Sequence, residues 1–257
     1  MDAYIENRFI KANIDFLVID DSAKDDVHYE FSSKSMHSKE EQIGNEINKQ
    51  SKKIGTAETR QFLLDGSYEV IDHKNKKLET GWRSFEVSNE NGEMAESAII
   101  NFTNNHNSYG FSLYFDDLAN EYPTKIQIDL FDNDTLLSSK IFNNDSASFK
   151  SEMPADNYNK IIFTFLKTNN PERKIRLTEL YFGLVEEFNE NNIKNFKLIK
   201  ELSHDNKTLP YSELEFTFDN LNAKYNMLNP EGIFKYLHER QKVNVKIGIG
   251  KSQGEIE

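Results

Sequence analysis

Six short strand patterns follow one another at regular intervals between residues 76 and 187, and they restrict the possible fold more than any other feature of the chain. In order, they read SAIINFT, YGFSLYF, TKIQIDLF, TLLSSKIF, NKIIFTFLK and RKIRLTELYF. Clusters rich in Asn, Asp, Ser and Pro, which favour turns, separate the patterns. Helical periodicity is nearly absent in this window, so its fold must be built from β-strands.

The spacing of apolar residues within these patterns indicates how the strands are buried. Phe111, Leu113 and Phe115 occupy every second position, which predicts one face on a core and one face in solvent. The run KIIFTFL is apolar on both faces and therefore predicts a central strand. We expect a mainly β protein in which residues 76–188 form an antiparallel β-sandwich.

The flanking segments give the rest of the predicted domain organisation. Residues 1–75 contain a strand pattern at Ile14–Ile19, a polar segment at 32–56 and a hairpin signal around Asp65–Gly66. The Asn-rich sequence NENNIKNF follows the sandwich and marks a boundary. A smaller β-rich unit is predicted for residues 189–257.

This C-terminal unit contains the strand patterns SELEFTFDN and VNVKIGI and, between them, LNPEGIFKYLHERQ, which predicts a helix over 230–240. Asn229 is a favoured N-cap, and Pro230 suits the first helical position because its missing N–H would have no partner there. The chain stops soon after VNVKIGI. We therefore expect an incomplete domain with an open sheet edge, as in a truncated copy.

A single hydrophobic core in a unit of this size gives only marginal stability, and a short helix must pack on a sheet to be stable. The unit should therefore pack against the N-terminal strand IDFLVI, or associate with copies of itself or with another protein. The residues of the predicted partner interface are Leu228, Ile233, Phe234 and Leu237.

Composition excludes several classes of function. The net charge of −12 argues against nucleic-acid binding and against an anionic membrane surface. Without cysteine, the chain has no disulfide, thiolate metal site or cysteine nucleophile. The start MDAYIENRFIKAN lacks the features of a signal peptide, and no apolar run approaches the ~20 residues that span a bilayer.

No catalytic or metal-binding pattern is visible. The six histidines are scattered, G-x-S-x-G and H-E-x-x-H are absent, and the many acidic pairs are not specific in an acidic chain. DLFDNDT superficially resembles a calcium loop, but it lacks the glycine and the closing glutamate of the EF-hand at the required positions. It predicts a hairpin turn instead. We expect a protein that is not an enzyme, with no catalytic residues, cofactor or metal.

Carbohydrate binding is the sharpest functional prediction for the sandwich. Sugar sites combine aromatic faces with amide and carboxylate groups on the loops of a rigid scaffold. Trp82 lies beside Arg83, and Tyr109 follows the amide-rich sequence NNHNS, so these three residues form the predicted site. The alternative is that Trp82 packs at the sandwich edge or at the junction with the N-terminal hairpin.

Two segments are similar to known modules. SELEFTFDN, NMLNPEGIFKYL and VNVKIGI resemble part of tail-tip or baseplate proteins, some of them tail hubs, of phages and prophages of Gram-positive bacteria. GFSLYFD, EYPTKIQIDLFD and NYNKIIFTFLKTNNPERKIRLTELYFG resemble a galactose-binding-like jelly roll upstream of it. The likeness covers roughly residues 60–250, and its motifs are structural.

The resemblance implies a structural component of a virion tail, made in the bacterial cytoplasm, whose partners are other tail proteins or copies of itself. The alternative is a carbohydrate-binding module that recognises host cell-wall glycans, and the two are compatible. A glycoside hydrolase is a third class. Binding on a glycan array distinguishes a carbohydrate-binding module from a purely structural tail protein.

Overall fold

A computed structural model shows a chain of two compact units, Ile19–Leu184 and a smaller one that combines Met1–Val18 with Val185–Glu257. The structure describes residues 9–35, 38, 40, 43, 81–116, 120–189, 191–200, 212–220, 222–237 and 243–250. The division differs from the predicted 1–75, 76–188 and 189–257, because the first strand pairs with the last one. The predicted hairpin around Asp65–Gly66 lies outside the described residues.

In its described residues, the larger unit contains one short helix and seven strands. They are α1 (Asp21–Asp26), β2 (Val27–Phe31), β3 (Trp82–Arg83), β4 (Glu93–Phe115), β5 (Pro123–Asp132), β6 (Thr135–Asn143), β7 (Ser148–Thr168) and β8 (Arg176–Tyr181). The strands pair in the order β3-β8-β4-β7-β5-β6, and β2 also pairs with β4. All of these pairings are antiparallel. The predicted central strand KIIFTFL lies in β7, between β4 and β5, which confirms that prediction.

The two long strands β4 and β7 contribute to both layers of a sandwich. The register of their pairing shifts around His106 in β4, so SAIINFT and YGFSLYF are two halves of one irregular strand. Phe111 pairs with Ser151 in the sheet, yet its ring contacts Phe163 at 5.7 Å, edge to face. Such a contact lies across the core and joins the halves of the sheet face to face. The predicted mainly β, antiparallel fold class is confirmed.

The core of the larger unit follows from the strand alternation. In β5, Ile126, Ile128 and Leu130 are buried, while the residues between them are half-buried. Gly110 allows β4 and β7 to approach closely, since a Cβ at this position would lie 1.9 Å from the Ser151 carbonyl oxygen. No other residue fits there without moving the backbone of β7.

The described part of the smaller unit contains two sheets. Strands β1 (Phe9–Ile19), β9 (Gly183–Phe188) and β12 (Val243–Gly250) form one, in the order β12-β1-β9. Strands β10 (Ile193–Lys200) and β11 (Ser212–Phe218) form an antiparallel pair. β1 and β12 run antiparallel with Phe16 opposite Val243. This pairing corresponds to the first of the two alternatives predicted for the C-terminal unit, packing against IDFLVI.

The predicted helix over 230–240 does not form in its described part. Turns lead into a single 3-10 turn at Phe234–Tyr236, and residues 238–242 lie outside the described range. The N–H of Ile233 donates to the carbonyl of Lys224 at 2.9 Å, so it is not available to the Asn229 carbonyl, its partner in an α-helix. Gly232 permits this contact, since a Cβ there would lie 2.6 Å from the Lys224 oxygen.

Candidate functional site

A cluster of side-chain amides, which we call the amide cluster, lies on the larger unit around Asp132. Three irregular points of the chain contribute to it: the middle of β4, the β5–β6 turn and a bend within β7. Its members are Asn105, Asn107, Asp132, Asn133, Asn157 and Asn159. Short polar side chains that tolerate a left-handed backbone favour such bends. Accordingly, φ is 52° at Asn133 and 61° at Asn157.

The carboxylate of Asp132 is the centre of the amide cluster. Its Oδ1 accepts hydrogen bonds from the Nδ2 atoms of Asn105, at 3.2 Å, and Asn133, at 2.9 Å. Its Oδ2 accepts from Nδ2 of Asn157 at 3.3 Å. Asn105 Nδ2 also lies 3.2 Å from the Asn157 carbonyl oxygen. One carboxylate therefore orients three amides that come from three different strands or turns.

Further hydrogen bonds fix the backbone of the amide cluster. The Oδ1 of Asn107 accepts from the N–H of Asn157 at 2.7 Å, and the Oδ1 of Asn159 accepts from the N–H of Asn133 at 2.7 Å. Asn159 Nδ2 donates in turn to Asn133 Oδ1 at 3.1 Å. Asn105, Asn107, Asn133 and Asn157 are nevertheless exposed. The cluster is thus a preorganised polar surface that solvent and solutes can reach.

An aromatic residue immediately precedes the central aspartate of the amide cluster in sequence. Phe131 precedes Asp132 directly and is half-buried, and Nζ of Lys160 lies 5.5 Å from the centre of its ring. Phe131 and Lys160 face each other across the β5–β7 pair. A half-buried ring and a cation therefore lie together on the paired strands where β5 leads into the turn of the amide cluster.

His106 is held between two carboxylates at the irregular middle of β4. Its Nδ1 lies 2.9 Å from Oδ2 of Asp20, and its Nε2 lies 3.1 Å from Oδ2 of Asp26. Carboxylate oxygens only accept hydrogen bonds, so both ring nitrogens donate when the imidazole is protonated. Ser22 Oγ, 3.4 Å from Nδ1, also donates to Asp20 Oδ1. With both nitrogens facing carboxylates, His106 is not placed to act as a base on Ser22.

Asp26 has a strongly stabilised negative charge. The backbone N–H of Asn104, 2.7 Å from its Oδ2, holds the pKa of Asp26 well below its usual range, and the hydrogen bond from His106 acts in the same direction. Burial opposes this shift of the pKa. Because the pKa is lower in the folded state, ionised Asp26 stabilises the fold above the usual aspartate pKa, and protonation removes this contribution.

We therefore expect the free energy of unfolding to fall from about pH 4 downward, in part because Asp26 takes up a proton. Asp26→Asn should be less stable than the parent at about pH 7, and the difference should be smaller at about pH 3, below the usual aspartate pKa. Urea unfolding at the two pH values measures this convergence. A constant difference between the two proteins would contradict it. Asp25→Asn, at an exposed neighbouring residue, is the matched control.

A buried ion-pair network joins the end of β4 to the start of β8. Nη1 of Arg176 lies 2.9 Å from Oδ2 of Asp116, and Nη2 lies 3.5 Å from Oε2 of Glu121. Nε of Arg173 lies 2.7 Å from Oε1 of Glu121. Burial raises the pKa of Glu121 above its usual range, and the guanidinium groups of Arg176 and Arg173 oppose this shift. Asp116, Glu121 and Arg176 are buried in this network, and we expect their ion pairs to stabilise the fold.

The structure does not assemble Trp82, Arg83 and Tyr109 into an accessible sugar site. Trp82 is 0% exposed, and its ring stacks between Phe31 at 4.8 Å and Phe165 at 5.8 Å. Its indole N–H donates to the Ser33 carbonyl at 2.8 Å. Arg83 and Tyr109 are also buried. Trp82 therefore has the packing role that was the alternative, and no ring face remains for a sugar.

The residues of the predicted partner interface differ in exposure. Leu228 is 82% exposed and Phe234 is 42% exposed, whereas Ile233 is buried and Leu237 is half-buried. They do not form one helical stripe, since the helix is replaced by turns. Of these four residues, Leu228 and Phe234 are therefore the two that are exposed to a partner.

The amide cluster was not identified as a site from the sequence, although its parts carry a signal. NNHNS, DLFDNDT and PADNYN are all turn-forming clusters rich in Asn and Asp. NNHNS lies within β4, and DLFDNDT forms the β5–β6 turn. The prediction of a hairpin turn at DLFDNDT is confirmed. Pairing of β4, β5 and β7 brings the three segments together.

In the described ranges, no group of three or more His, Asp or Glu side chains is arranged to hold a metal ion. Nor does that part of the chain contain a helix that is long and apolar enough to cross a membrane.

No family model and no curated protein sequence matches the chain. Solved structures do match it. A family 32 carbohydrate-binding module of Clostridium perfringens NanJ, in complex with galactose, has a TM-score of 0.38 and 13% identity, and the match covers 68% of this chain and 99% of that one. Chitosan-binding module 1 of a Paenibacillus sp. IK-5 chitosanase/glucanase has a TM-score of 0.38 and 12% identity over 61% of this chain and 93% of that one.

A third match is the lectin domain of lectinolysin complexed with Lewis B antigen, with a TM-score of 0.39 and 12% identity over 65% of this chain and 96% of that one. None of these three is a phage tail protein. With TM-scores below 0.5, the fold class is established by the sheets described above and not by these neighbours.

Proposed function

We propose that the larger unit is a carbohydrate-binding module and that a glycan binds at the amide cluster. The observation that carries the proposal is the set of exposed amides that Asp132 orients. Sugar hydroxyl groups both donate and accept hydrogen bonds, and an Asn side chain offers both functions. Because the amides are already held in place, binding costs less ordering of side chains.

The ring of Phe131 supports the same function. Sugars present C–H groups on one face of the ring as well as hydroxyl groups around it, so their sites combine a few polar groups with apolar surface. Phe131, the residue before Asp132, is a half-buried ring at the end of β5, and Lys160 adds a hydrogen-bond donor. The function proposed is binding without hydrolysis, since the His106 and Arg176 clusters are both engaged in structural contacts.

A role in a phage tail rests on the sequence resemblance alone. The interface that this role would use includes Leu228 and Phe234, which are exposed in the smaller unit. Such a role is compatible with glycan binding by the larger unit, and cell-wall glycans would then be the natural ligands to test first.

The full chain should bind one class of glycan on an array, and Asp132→Ala should weaken that binding at least about tenfold, or about 1.4 kcal/mol. The variant removes the acceptor that orients the three amides. Asn157→Gly is the second test, because glycine accepts the φ of 61° at this position and loses only the amide. Asp145→Ala, at an exposed residue after β6, is the matched control and should bind as the parent does.

Two results would contradict the proposal. One is a blank array with a folded parent protein. The other is binding that Asp132→Ala and Asn157→Gly leave unchanged, which would place any sugar site elsewhere in the chain.

A further inference from the structure

Strand β6 lies at the end of the larger unit's sheet. It pairs with β5 on one side, and no described residue pairs with its other side. Every residue of Thr135–Asn143 is exposed except Phe142, which is half-buried. The outer edge of such a strand presents backbone N–H and C=O groups that can extend the sheet with a strand from another chain.

The sequence of β6 lacks the usual protection of a free edge. Proteins block edges with prolines, short strands or several charges, but TLLSSKIFN has no proline and one charged residue. That residue, Lys140, places Nζ 4.8 Å from the centre of the Phe142 ring. Leu136, Leu137 and Ile141 are large apolar side chains that are 53%, 45% and 51% exposed. Such exposure on a strand edge is characteristic of an interface.

Charge also favours a second copy of this chain as the partner. The chain carries a net charge of −12, which opposes association through most of its surface. β6 itself contains no acidic residue, and the carboxylate of Asp129 that contacts it already accepts a hydrogen bond from Ser139 Oγ, so two copies meet less negative charge here than an average part of the surface would bring together.

We propose that β6 pairs with β6 of a second copy, antiparallel and about a two-fold axis at Ser139. The same face of both copies lies on the same side of the joined sheet only if the axis passes between a residue and its own copy in the second chain. With Ser139 on the axis, Leu137 faces Ile141 of the second copy and Lys140 faces Ser138. An axis at Lys140 would place two ammonium groups opposite each other, and an axis at Ser138 would place Leu137 opposite Ser139. Apolar cross-strand pairs stabilise a sheet and like charges destabilise it.

The dimer would present two amide clusters. Each cluster adjoins the β5–β6 turn, so the two would lie about 40 Å apart at about 3.4 Å per residue. A surface that carries many copies of a glycan would then be bound with avidity. This consequence rests on the proposed function, whereas the dimer itself does not.

Sedimentation equilibrium of the full chain tests the dimer. The parent should show twice the mass of one chain, and Leu137→Lys with Ile141→Lys should raise the dimer dissociation constant at least about a hundredfold through repulsion across the axis. Both residues are half exposed, so the fold should tolerate the change. Val87→Lys, at an apolar residue that is also 51% exposed, is the matched control and should leave the dimer intact.

Disulfide formation tests the register, since the chain has no cysteine of its own. In the proposed dimer, the two Ser139 Cα atoms lie about 4.5–5.5 Å apart, within the range for a disulfide. Ser139→Cys should therefore form a covalent dimer on mild oxidation, and Ser138→Cys should not. A parent that sediments as one chain, a dimer that the lysine variant leaves intact, or equal cross-linking at both positions would each overturn the proposal.

Discussion

Replacing Arg176 by methionine is expected to lower the free energy of unfolding by about 3–5 kcal/mol. Arg176 is 3% exposed, and its guanidinium faces the carboxylates of Asp116 and Glu121, which are 6% and 9% exposed. Removing the cation leaves negative charge in a poorly solvated site, and burial has already raised the pKa of Glu121. Urea unfolding followed by the fluorescence of Trp82, the sole tryptophan, measures the loss.

Two further variants isolate the cause. Arg173→Met removes a cation from the same Glu121, but Arg173 is 23% exposed, so the loss should be only about 1 kcal/mol. Adding Asp116→Asn and Glu121→Gln to Arg176→Met should recover part of the loss, because no buried charge then remains without its cation. If Arg176→Met were as stable as Arg173→Met, the buried ion pairs of Arg176 would not stabilise the fold as we expect.

The second large effect is expected for Trp82→Ala, which should lower the free energy of unfolding by about 3–5 kcal/mol. The substitution leaves a cavity between Phe31 of β2 and Phe165 of β7 and removes the donor to the Ser33 carbonyl. Trp82→Phe keeps an aromatic ring and should lose less. Circular dichroism must follow the unfolding, since these variants contain no tryptophan.

Phe85→Ala is the matched control for Trp82→Ala. Phe85 lies close to Trp82 in sequence, but it is 62% exposed, so the change in the free energy of unfolding should stay within about 0.5 kcal/mol.

Glycan binding also tests the role of Trp82. A folded Trp82→Phe variant should bind glycan as the parent does, because the indole is buried away from any ligand. Loss of glycan binding in a stable Trp82→Phe protein would indicate that Trp82 belongs to the sugar site.

The strand content of the larger unit could be predicted because it depends on local alternation. Phe111, Leu113 and Phe115 are all buried, as their spacing indicated. The continuity of β4 could not be predicted, since the polar sequence NNHNS has the composition of a turn. His106 and Ser108 within it are instead buried by contacts that only the folded chain provides.

Features that depend on distant residues were missed for the same reason. The helix signals at Asn229 and Pro230 are local, whereas the carbonyl of Lys224 that receives the Ile233 N–H belongs to an earlier turn. The compact units follow the pairing of β1 with β12, which was one of two alternatives predicted for the C-terminal unit. Likewise, Trp82 has the composition of a sugar-stacking residue, and only its packing between Phe31 and Phe165 shows its actual role.

The most direct test of glycan binding at the amide cluster is a titration of the isotope-labelled full chain with the best glycan from the array, followed by NMR of the asparagine side-chain amide groups. We expect saturable shifts in the Nδ2 resonances of Asn105, Asn107 and Asn157, with the Asn157 signal assigned by its loss in Asn157→Gly. Amides far from the cluster, such as that of Asn144, should not shift. Saturable shifts confined to other parts of the chain, with the cluster unchanged, would contradict the account.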